Sequence, residues 1–289
     1  MSRERAYQVI TAASAGFCFG VQKAVDAVCS ELEKGGRIYT YGPIIHNETV
    51  VADFEKKGVR VVETPEEIAA LEEGTLVIRS HGVSRQSCGQ IRGSRVHCVD
   101  ATCPFVKRIH NIVDEESAKG SQIVIIGNAG HPEVEGIMGW SRVPAAVIGT
   151  AKEAREYGGD PSRPVCVVSQ TTFQPEKFNE LVAILQKRRY NMSIVNTICN
   201  ATRERQEEAR KIARVADVMI VIGGRTSSNS AKLYEICRKE CPNTVFIQTA
   251  EDLALELTGE EKVIGITAGA STPKNIIEEV QNHVRDGKF

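Results

Sequence analysis

Short runs rich in valine and isoleucine alternate with longer, helix-patterned segments along the whole chain. The same order recurs three times: a helix pattern, an apolar strand with a polar loop, a second short strand that leads into an acidic helix start, and a third strand with another polar loop. Strands that alternate with helices are typical of parallel sheets in the α/β class. Because fixed-period self-similarity indicates a repeated structural unit, we interpret the chain as one α/β unit used three times.

The patterns also give approximate bounds for the repeat. Helices are predicted at 20–33, 105–119 and 202–213, and the strands that follow them begin near residues 37, 122 and 218. The first two units add a fourth strand, at 95–100 and 192–196, whereas the third unit has no such strand after its last helix. The strand pattern at 7–13 precedes the first unit in the same way, so we expect it to complete the third sheet.

Three domains follow from this repeat, over residues 18–102, 103–198 and 199–289, with the third sheet completed by the strand in 1–17. The expected fold is α/β, with three similar units whose small, mostly parallel sheets are arranged in pseudo-threefold fashion around a central cluster. Units of under about 100 residues are small but feasible domains.

Composition narrows the class of protein. A net charge of −1 and 5% aromatic residues argue against a nucleic-acid-binding protein, which needs a basic surface or stacking platforms. No apolar run reaches the roughly 18 residues of a membrane span. The N-terminus makes a poor signal peptide, and the nine cysteines include no CxxC pair. We therefore expect a cytoplasmic protein with reduced thiols and no membrane or nucleic-acid partner.

Three cysteines stand out because each lies just before a predicted helix and has a polar loop residue 28 positions later. The pairs are Cys18 with His46, Cys103 with His131, and Cys199 with Ser227. Three units around a common centre would bring the three thiolates to one point, which indicates a metal site rather than a disulfide framework. The other six look like ordinary buried cysteines, which behave as small hydrophobic residues: Cys29, Cys88, Cys98, Cys166, Cys237 and Cys241.

Three thiolates are compatible with more than one kind of metal site. Structural zinc normally takes four protein ligands. An iron–sulfur cluster normally takes four cysteines, so a site with three would leave one iron open. An open iron is a Lewis acid that can bind a substrate oxygen directly.

A second set of polar residues falls just after predicted strands, where parallel sheets place their ligand sites. Helix N-termini with hydroxyl and amide donors favour phosphate groups, although serine, threonine and asparagine there are more often simple helix caps. Glu133 is the carboxylate in this set and is placed to be a proton donor. The remaining members are His46, His81, His131, Gln170, Thr171, Thr172, Ser227, Ser228, Asn229 and Ser271.

Seven short motifs contain these residues. In combination they resemble the motifs of the 4-hydroxy-3-methylbut-2-enyl diphosphate reductases, and the match extends from about Ala15 to the C-terminal helix. The motifs are AGFCFGV at 15–21, SHGV at 80–83, DATCP at 100–104, GHPEVEG at 130–136, QTT at 170–172, SSNS at 227–230 and TAGAS at 267–271.

The resemblance implies a 4Fe-4S cluster held by Cys18, Cys103 and Cys199. It also implies reductive removal of the allylic hydroxyl of the diphosphate substrate, which gives isopentenyl and dimethylallyl diphosphate, the last step of the non-mevalonate isoprenoid route. By the same resemblance Glu133, assisted by Thr171, delivers protons, and His131 is grouped with these catalytic residues. The diphosphate would be held by His46, His81, His131, Ser227, Ser228, Asn229 and Ser271, and the predicted substrate-binding residues also include Gln170, Thr171 and Thr172.

Two other functions remain open from the sequence. A redox-inactive dehydratase or lyase would use the open iron only as a Lewis acid, and a non-catalytic protein would hold zinc at the three cysteines. Of the three functions, only the reductase consumes electrons. These electrons would have to come from another protein, because the sequence has no GxGxxG motif after a strand and no obvious flavin motif. A ferredoxin or flavodoxin is the expected electron donor.

Overall fold

The computed structural model describes residues 7–188, 190–255 and 257–288. Residues 1–6, 256 and 289 of the predicted third domain, and residue 189 of the second, lie outside the described part.

Strands and helices alternate through the described residues. The strands are β1 (Gln8–Thr11), β2 (Ile38–Tyr41), β3 (Arg60–Val62), β4 (Thr75–Ile78), β5 (His97–Asp100), β6 (Gln122–Ile126), β7 (Ala145–Ile148), β8 (Val165–Ser169), β9 (Met192–Ile194), β10 (Val218–Ile222), β11 (Thr244–Ile247) and β12 (Val263–Ala268). The helices are α1 (Phe19–Lys34), α2 (Glu48–Lys56), α3 (Pro65–Ala69), α4 (Arg85–Arg92), α5 (Pro104–Ala118), α6 (Pro132–Met138), α7 (Ala151–Glu156), α8 (Pro175–Gln186), α9 (Asn200–Ala213), α10 (Ser228–Glu240) and α11 (Lys274–Asp286), with a 3₁₀ turn at Ala250–Asp252.

The described strands form three small sheets of four strands each. Their orders are β3-β2-β4-β5, β7-β6-β8-β9 and β1-β12-β10-β11. The pairings are parallel in all three sheets. Read from the other edge, the third order is β11-β10-β12-β1, so all three sheets share one topology. The α/β class with three parallel sheets is confirmed.

The N-terminal strand β1 fills the fourth place in the third sheet. It pairs with β12 in parallel, with Gln8 opposite Val263 and Thr11 opposite Ile266. The Tyr7 hydroxyl adds a hydrogen bond of 2.6 Å to the Val284 carbonyl of α11. As expected from the strand pattern at 7–13, β1 therefore takes the edge position that β5 and β9 have in the other two sheets.

The central strands are buried on both faces because helices cover each side of the sheet. Side chains alternate along β10, so that Ile220 packs into one apolar cluster with α11, whereas Met219 and Val221 pack into another with α9 and α10. Strand β6 divides its side chains in the same way, with Val124 on one face and Ile125 on the other. A near-continuous run of Val and Ile in these strands is thus explained by burial on two faces.

A short acidic helix start follows the second strand of each unit, as the sequence predicts. Thr64, Thr150 and Thr249 form capping boxes in which the carboxylate three residues later accepts from the threonine backbone N–H. These reciprocal hydrogen bonds satisfy donors that a helix start leaves open. The three units therefore share this capping arrangement as well as their strand order.

The chain divides into two compact units. The first contains the β1-β12-β10-β11 sheet and comprises the N-terminal segment through Phe19, residues His46–Ala52 and the chain from Asn200 onward. The second contains the other two sheets, in Gly20–Ile45 and Asp53–Cys199. The division into three domains stays a prediction. Among the described helices, none is both long and apolar enough to cross a bilayer.

Candidate active site

The polar residues proposed from the sequence lie in loops or helix starts after the carboxyl ends of strands. The first compact unit contains Cys18, His46, Ser227, Ser228, Asn229 and Ser271. The second contains His81, Cys103, His131, Glu133, Gln170, Thr171, Thr172 and Cys199.

Each of the three cysteines lies directly before a helix and is partly exposed. The backbone N–H of each one donates to a carbonyl in the loop after the neighbouring strand of its sheet. These bonds join Cys18 to Ala270, Cys103 to Ser80 and Cys199 to Thr171, at 3.1, 3.0 and 3.0 Å. One backbone arrangement thus places every candidate thiolate beside a polar loop.

The loop before Cys18 is held by two charged side chains of α9. The Glu208 carboxylate accepts from the backbone N–H groups of Ala13 and Ser14 at 2.8 and 2.9 Å and from the Ser14 hydroxyl. Arg205 donates to the Gly16 carbonyl at 2.6 Å. Burial opposes ionisation of Glu208, but these hydrogen bonds outweigh it and lower its pKa. Sequence reasoning did not single out either residue, because charged positions on a helix give no such signal.

Cys103 is the N-cap of α5, with Pro104 in the first turn as the sequence suggested. A Cβ atom placed on Gly20 would lie 2.5 Å from its Sγ atom. Only glycine therefore leaves room for the start of α1 against this sulfur. The other glycine of the AGFCFGV motif, Gly16, lies before Cys18 and has a φ of 109°, a backbone conformation that glycine adopts more readily than other residues.

The other cysteines lie in different surroundings. Burial raises the pKa of the Cys166 thiol to about 11 and that of Cys237 to about 12, which disfavours the thiolate that a metal needs. Cys88 and Cys241 are also buried, and Cys98 is partly buried. Cys29 was expected to be buried and is instead exposed on α1, so that expectation was wrong.

The carboxylate of Glu133 is almost fully buried, at 2% exposure. One of its oxygens accepts from the Thr171 backbone N–H and the other from the Thr171 hydroxyl, both at 2.6 Å. The Glu133 backbone N–H in turn donates to Nδ1 of His131, the N-cap of α6, at 3.1 Å. The structure therefore brings together the three residues that were grouped as catalytic.

Gln170 acts as a brace within the same group of loops. Its side-chain oxygen accepts from the Asn128 backbone N–H, and its amide nitrogen donates to the Thr172 hydroxyl, both at 3.0 Å. The loop after β6 is thereby fixed to the loop after β8. These two contacts of Gln170 are structural, and its role in substrate binding stays a prediction.

His81 lies near His131, with ring centroids 5.6 Å apart in an edge-to-face arrangement. Beneath the loop of His81 is His110 of α5, which the sequence analysis did not single out. Cβ atoms placed on Gly82 or Gly136 would contact its ring at 2.7 and 3.6 Å. The ring also stacks on Trp140, with the ring centroids 5.2 Å apart. Burial lowers the pKa of His110 to about 4, so its ring is neutral at physiological pH.

In the first compact unit, Ser227 is the N-cap of α10. Its hydroxyl oxygen accepts from the Ser230 backbone N–H at 3.2 Å and from the Ser230 hydroxyl at 2.9 Å. Asn229 follows, 5% exposed, and neither its Nδ2 nor its Oδ1 has a hydrogen-bond partner among the described residues. An unsatisfied buried amide costs about 1–3 kcal/mol, which indicates that a polar ligand completes this site.

Ser271 lies in the loop between β12 and α11, also in the first unit. Its hydroxyl donates to the His46 carbonyl at 2.8 Å. The next residue, Thr272, donates to the Ile222 carbonyl at the end of β10. The loop of Ser271 and Thr272 is therefore hydrogen-bonded both to the His46 segment and to the end of β10, the strand that precedes α10.

The donor sets fit two kinds of ligand. Three partly exposed free thiols at helix starts suit a thiolate-bound metal group, because helix N-termini supply N–H donors to sulfur. Hydroxyl and amide groups at the start of α10 suit a phosphate group.

Comparison with known proteins gives the family. The family model described as LytB protein matches residues 9–285. A 4-hydroxy-3-methylbut-2-enyl diphosphate reductase of Thermoanaerobacter sp. (strain X514) is 43% identical over 281 residues, which is 96% of each chain. The enzyme of the same name from Clostridioides difficile (strain 630) is 43% identical over 93% of this chain and 96% of its own.

Solved structures agree with this assignment. The E-1-hydroxy-2-methyl-but-2-enyl-4-diphosphate reductase of Plasmodium falciparum superposes with a TM-score of 0.91 at 26% identity, over 98% of this chain and 89% of its own. A second structure, of (E)-4-hydroxy-3-methyl-but-2-enyl diphosphate reductase, gives a TM-score of 0.70 at 39% identity, over 96% of this chain and 99% of its own. The chain therefore belongs to the LytB family, the metal-dependent 4-hydroxy-3-methylbut-2-enyl diphosphate reductases that complete the non-mevalonate pathway.

Proposed function

We propose that this protein performs the family's reaction with a 4Fe-4S cluster held by Cys18, Cys103 and Cys199. The reaction removes the allylic hydroxyl of 4-hydroxy-3-methylbut-2-enyl diphosphate. It consumes two electrons and two protons, breaks the C–O bond, releases water and gives isopentenyl or dimethylallyl diphosphate. Family membership supports the reaction, and the surroundings of the cysteines support their assignment as ligands.

The observation that carries the proposal is the position of Thr171. Its hydroxyl donates to Glu133, while its backbone carbonyl accepts from the N–H of Cys199 at 3.0 Å. A buried proton-holding group and a candidate cluster ligand are thus separated by a single residue. Such an arrangement suits a reaction in which a proton must reach an oxygen that lies beside a metal.

Glu133 and Thr171 form a short route for that proton. A threonine hydroxyl can accept one hydrogen bond and donate another, so it can pass a proton from a protonated Glu133 to a substrate hydroxyl. Burial of Glu133 at 2% exposure keeps water from competing for the carboxyl group. General acid catalysis of this kind typically contributes about 10²- to 10⁴-fold to the rate.

The diphosphate end of the substrate is assigned to neutral donors and histidines. Ser227, Ser228 and Asn229 present hydroxyl and amide groups at the start of α10, where the helix dipole also favours an anion. Ser271, His46, His81 and His131 complete the proposed set, with Gln170 and Thr172 bracing the loops at the acid end.

When bound, the cluster supplies a Lewis-acidic iron for the substrate oxygen and a source of single electrons. Cys18, Cys103 and Cys199 would hold it through their thiolates. The hydrogen bonds donated by their backbone N–H groups fix the backbone position of each cysteine. Gly20 leaves the space that Cys103 needs.

The test is anaerobic turnover of 4-hydroxy-3-methylbut-2-enyl diphosphate with dithionite as reductant, with both products measured by chromatography. We expect a brown protein that contains about four irons per chain and turns over only when reductant is present. Turnover without reductant would instead indicate the dehydratase or lyase. A colourless protein with bound zinc and no turnover would indicate the structural protein.

We also propose a reduced ferredoxin or flavodoxin as the physiological donor, because the reaction consumes electrons and the sequence has no nucleotide-binding motif of its own. Replacing dithionite with either photoreduced carrier should sustain turnover. Failure of both carriers in an enzyme that is active with dithionite would contradict this part of the proposal alone.

A further inference from the structure

Glu48 occupies the position two residues after His46, just as Glu133 follows His131 and Asn229 follows Ser227. The three positions are equivalent in the repeat. Glu133 and Asn229 already have proposed roles at the acid end and the diphosphate end. Glu48 was not singled out by sequence reasoning, and its surroundings within the first compact unit indicate what it does.

The Glu48 carboxylate gathers four donors from two segments of that unit. One oxygen accepts from the Thr226 backbone N–H at 3.1 Å and from the Thr226 hydroxyl at 2.7 Å. The other accepts from the Arg225 backbone N–H at 3.2 Å and from the Gln248 side chain at 2.7 Å. As at Glu133, a threonine supplies both its backbone N–H and its hydroxyl, but at Glu48 both bonds go to one carboxylate oxygen, whereas Thr171 bonds both oxygens of Glu133.

The segment around Glu48 and the loop after β10 are also in close backbone contact. A Cβ atom placed on Gly224 would lie 2.7 Å from the Glu48 carboxylate and 2.7 Å from the His46 carbonyl oxygen. Ser271 holds that same carbonyl from the third loop. Glu48 is therefore the member of this group that fastens the His46 segment to residues 225 and 226, directly before Ser227.

The ionised form is the one that the site favours. Burial opposes the charge, but hydrogen bonds from Thr226 and Arg225 outweigh it and lower the pKa of Glu48. Glu48 is exposed, whereas Glu133 is buried. Threonine contacts thus serve a fixed anion at Glu48 and a shielded carboxyl group at Glu133.

We propose that Glu48 is a positioning residue for the diphosphate. By occupying the outer N–H donors of the loop, its carboxylate fixes the first turn of α10 relative to His46 and leaves Ser227, Ser228 and Asn229 for the substrate. This inference rests on the proposed function of those three residues.

The test is Glu48→Gln in the cluster-loaded enzyme. An amide offers one acceptor oxygen and turns an NH₂ group toward N–H donors, so the loop loses its anchor. We expect KM to rise about tenfold or more, the effect of about one lost hydrogen bond to a charged group. We expect kcat to stay within about threefold, because the acid end is untouched. The inhibition constant of inorganic pyrophosphate should rise in parallel with KM.

Thr226→Val gives a second variant, which removes one donor and leaves Glu48 in place. It should raise KM less than Glu48→Gln does, and the double variant should be no worse than Glu48→Gln alone, because the hydroxyl acts through that carboxylate. Glu55→Gln, an exposed position on the same helix, is the matched control and should leave both constants unchanged.

Three outcomes would overturn the inference: unchanged KM in Glu48→Gln, a fall in kcat at unchanged KM, or loss of iron and thermal stability in step with activity. The last would show a merely structural role. Wild-type turnover tests the proposed function separately. If the wild type failed to turn over, direct titration with pyrophosphate would still compare Glu48→Gln with the wild type.

Discussion

The starts of α6 and α10 show how one backbone position can serve two kinds of chemistry. Each follows a central strand of its sheet, and each has an N-cap 28 residues after a candidate cluster cysteine, His131 in one and Ser227 in the other. Two residues beyond the cap, α6 carries Glu133 and α10 carries Asn229. Both side chains are at least nine-tenths buried.

The two side chains differ in what the protein gives them. Both oxygens of Glu133 accept hydrogen bonds from Thr171. The amide of Asn229 has no partner among the described residues. In the proposed function the Glu133 carboxyl group supplies a proton, whereas the Asn229 amide is completed by the diphosphate. The repeat sets the location, and the residue at the second position after the cap sets the chemistry.

Removal of the proposed cluster should abolish turnover. Cys18→Ser, Cys103→Ser and Cys199→Ser are each expected to lose most of the bound iron, the brown absorption and all measurable turnover, because each removes one of three protein ligands. Iron analysis and visible spectroscopy check this. Cys29→Ser is the matched control, since Cys29 is exposed on α1 and should be dispensable. A full cluster in any of the first three variants would show that the ligand set is wrong.

Glu133→Gln tests the α6 side of the comparison. The amide keeps the shape of the side chain and one acceptor oxygen for the Thr171 backbone N–H, and the Thr171 hydroxyl can turn to accept from its NH₂ group, but it cannot supply a proton. Turnover should fall about 10²-fold or more, the usual size of a general-acid contribution. Iron content and KM should change little, because the cluster and diphosphate ligands are intact. Near wild-type kcat would remove Glu133 from proton delivery and would leave the α6 start with a structural role.

Asn229→Ala tests the α10 side. It should chiefly raise KM, by about 10- to 100-fold, because one hydrogen bond to a charged group is lost at about 1.5–3 kcal/mol. Asn229→Asp is nearly isosteric and gives α10 a carboxylate at the position where α6 has Glu133. Because this carboxylate would repel the diphosphate, the KM of Asn229→Asp should rise further. Steady-state kinetics of both variants decide the point. Equal KM values in Asn229→Ala, Asn229→Asp and the wild type would contradict the proposal that the start of α10 binds the diphosphate.

Much of this picture could be predicted from the sequence because it depends on periodicity. Runs of Val and Ile gave the central strands, and the equal spacing from Cys18, Cys103 and Cys199 gave the repeat. The place of β1 followed from a missing strand in the third unit. These features are local or repeated, so the pattern of hydrophobic and polar residues contains them.

Other features depend on contacts between distant segments, which a single sequence does not show. Glu48 is an ordinary acidic residue at a helix start until the structure brings it to Thr226, 178 residues away. Glu208 looks like any charged position of α9, yet it holds the loop before Cys18. His110 fits the buried stripe of an amphipathic helix, and only the structure shows that it supports the loop of His81.

His110 gives the last expected effect, which is on the stability of the fold in acid and not on turnover. Its pKa is lowered from 6.5 to about 4 by burial, so the folded protein takes up this proton less readily than the unfolded chain. The stabilising contribution is therefore fully present above pH 6.5 and is lost as the pH falls toward 4. The shift corresponds to at most about 3 kcal/mol of unfolding free energy. This dependence belongs to the α6 side, because the ring packs against Gly136 of α6 and against Gly82.

Urea unfolding of the wild type and of His110→Gln between pH 7 and pH 4 tests this expectation. The variant should be less stable at pH 7, because it loses the stack on Trp140, but its stability should fall less steeply with acid. His97→Gln is the matched control, since the side chain of His97 is exposed on β5 of the same compact unit, and it should keep the wild-type slope. Equal slopes for the wild type and His110→Gln would show that this ring is not a source of acid sensitivity. The acid sensitivity of the α6 region would then have to come from its carboxylates.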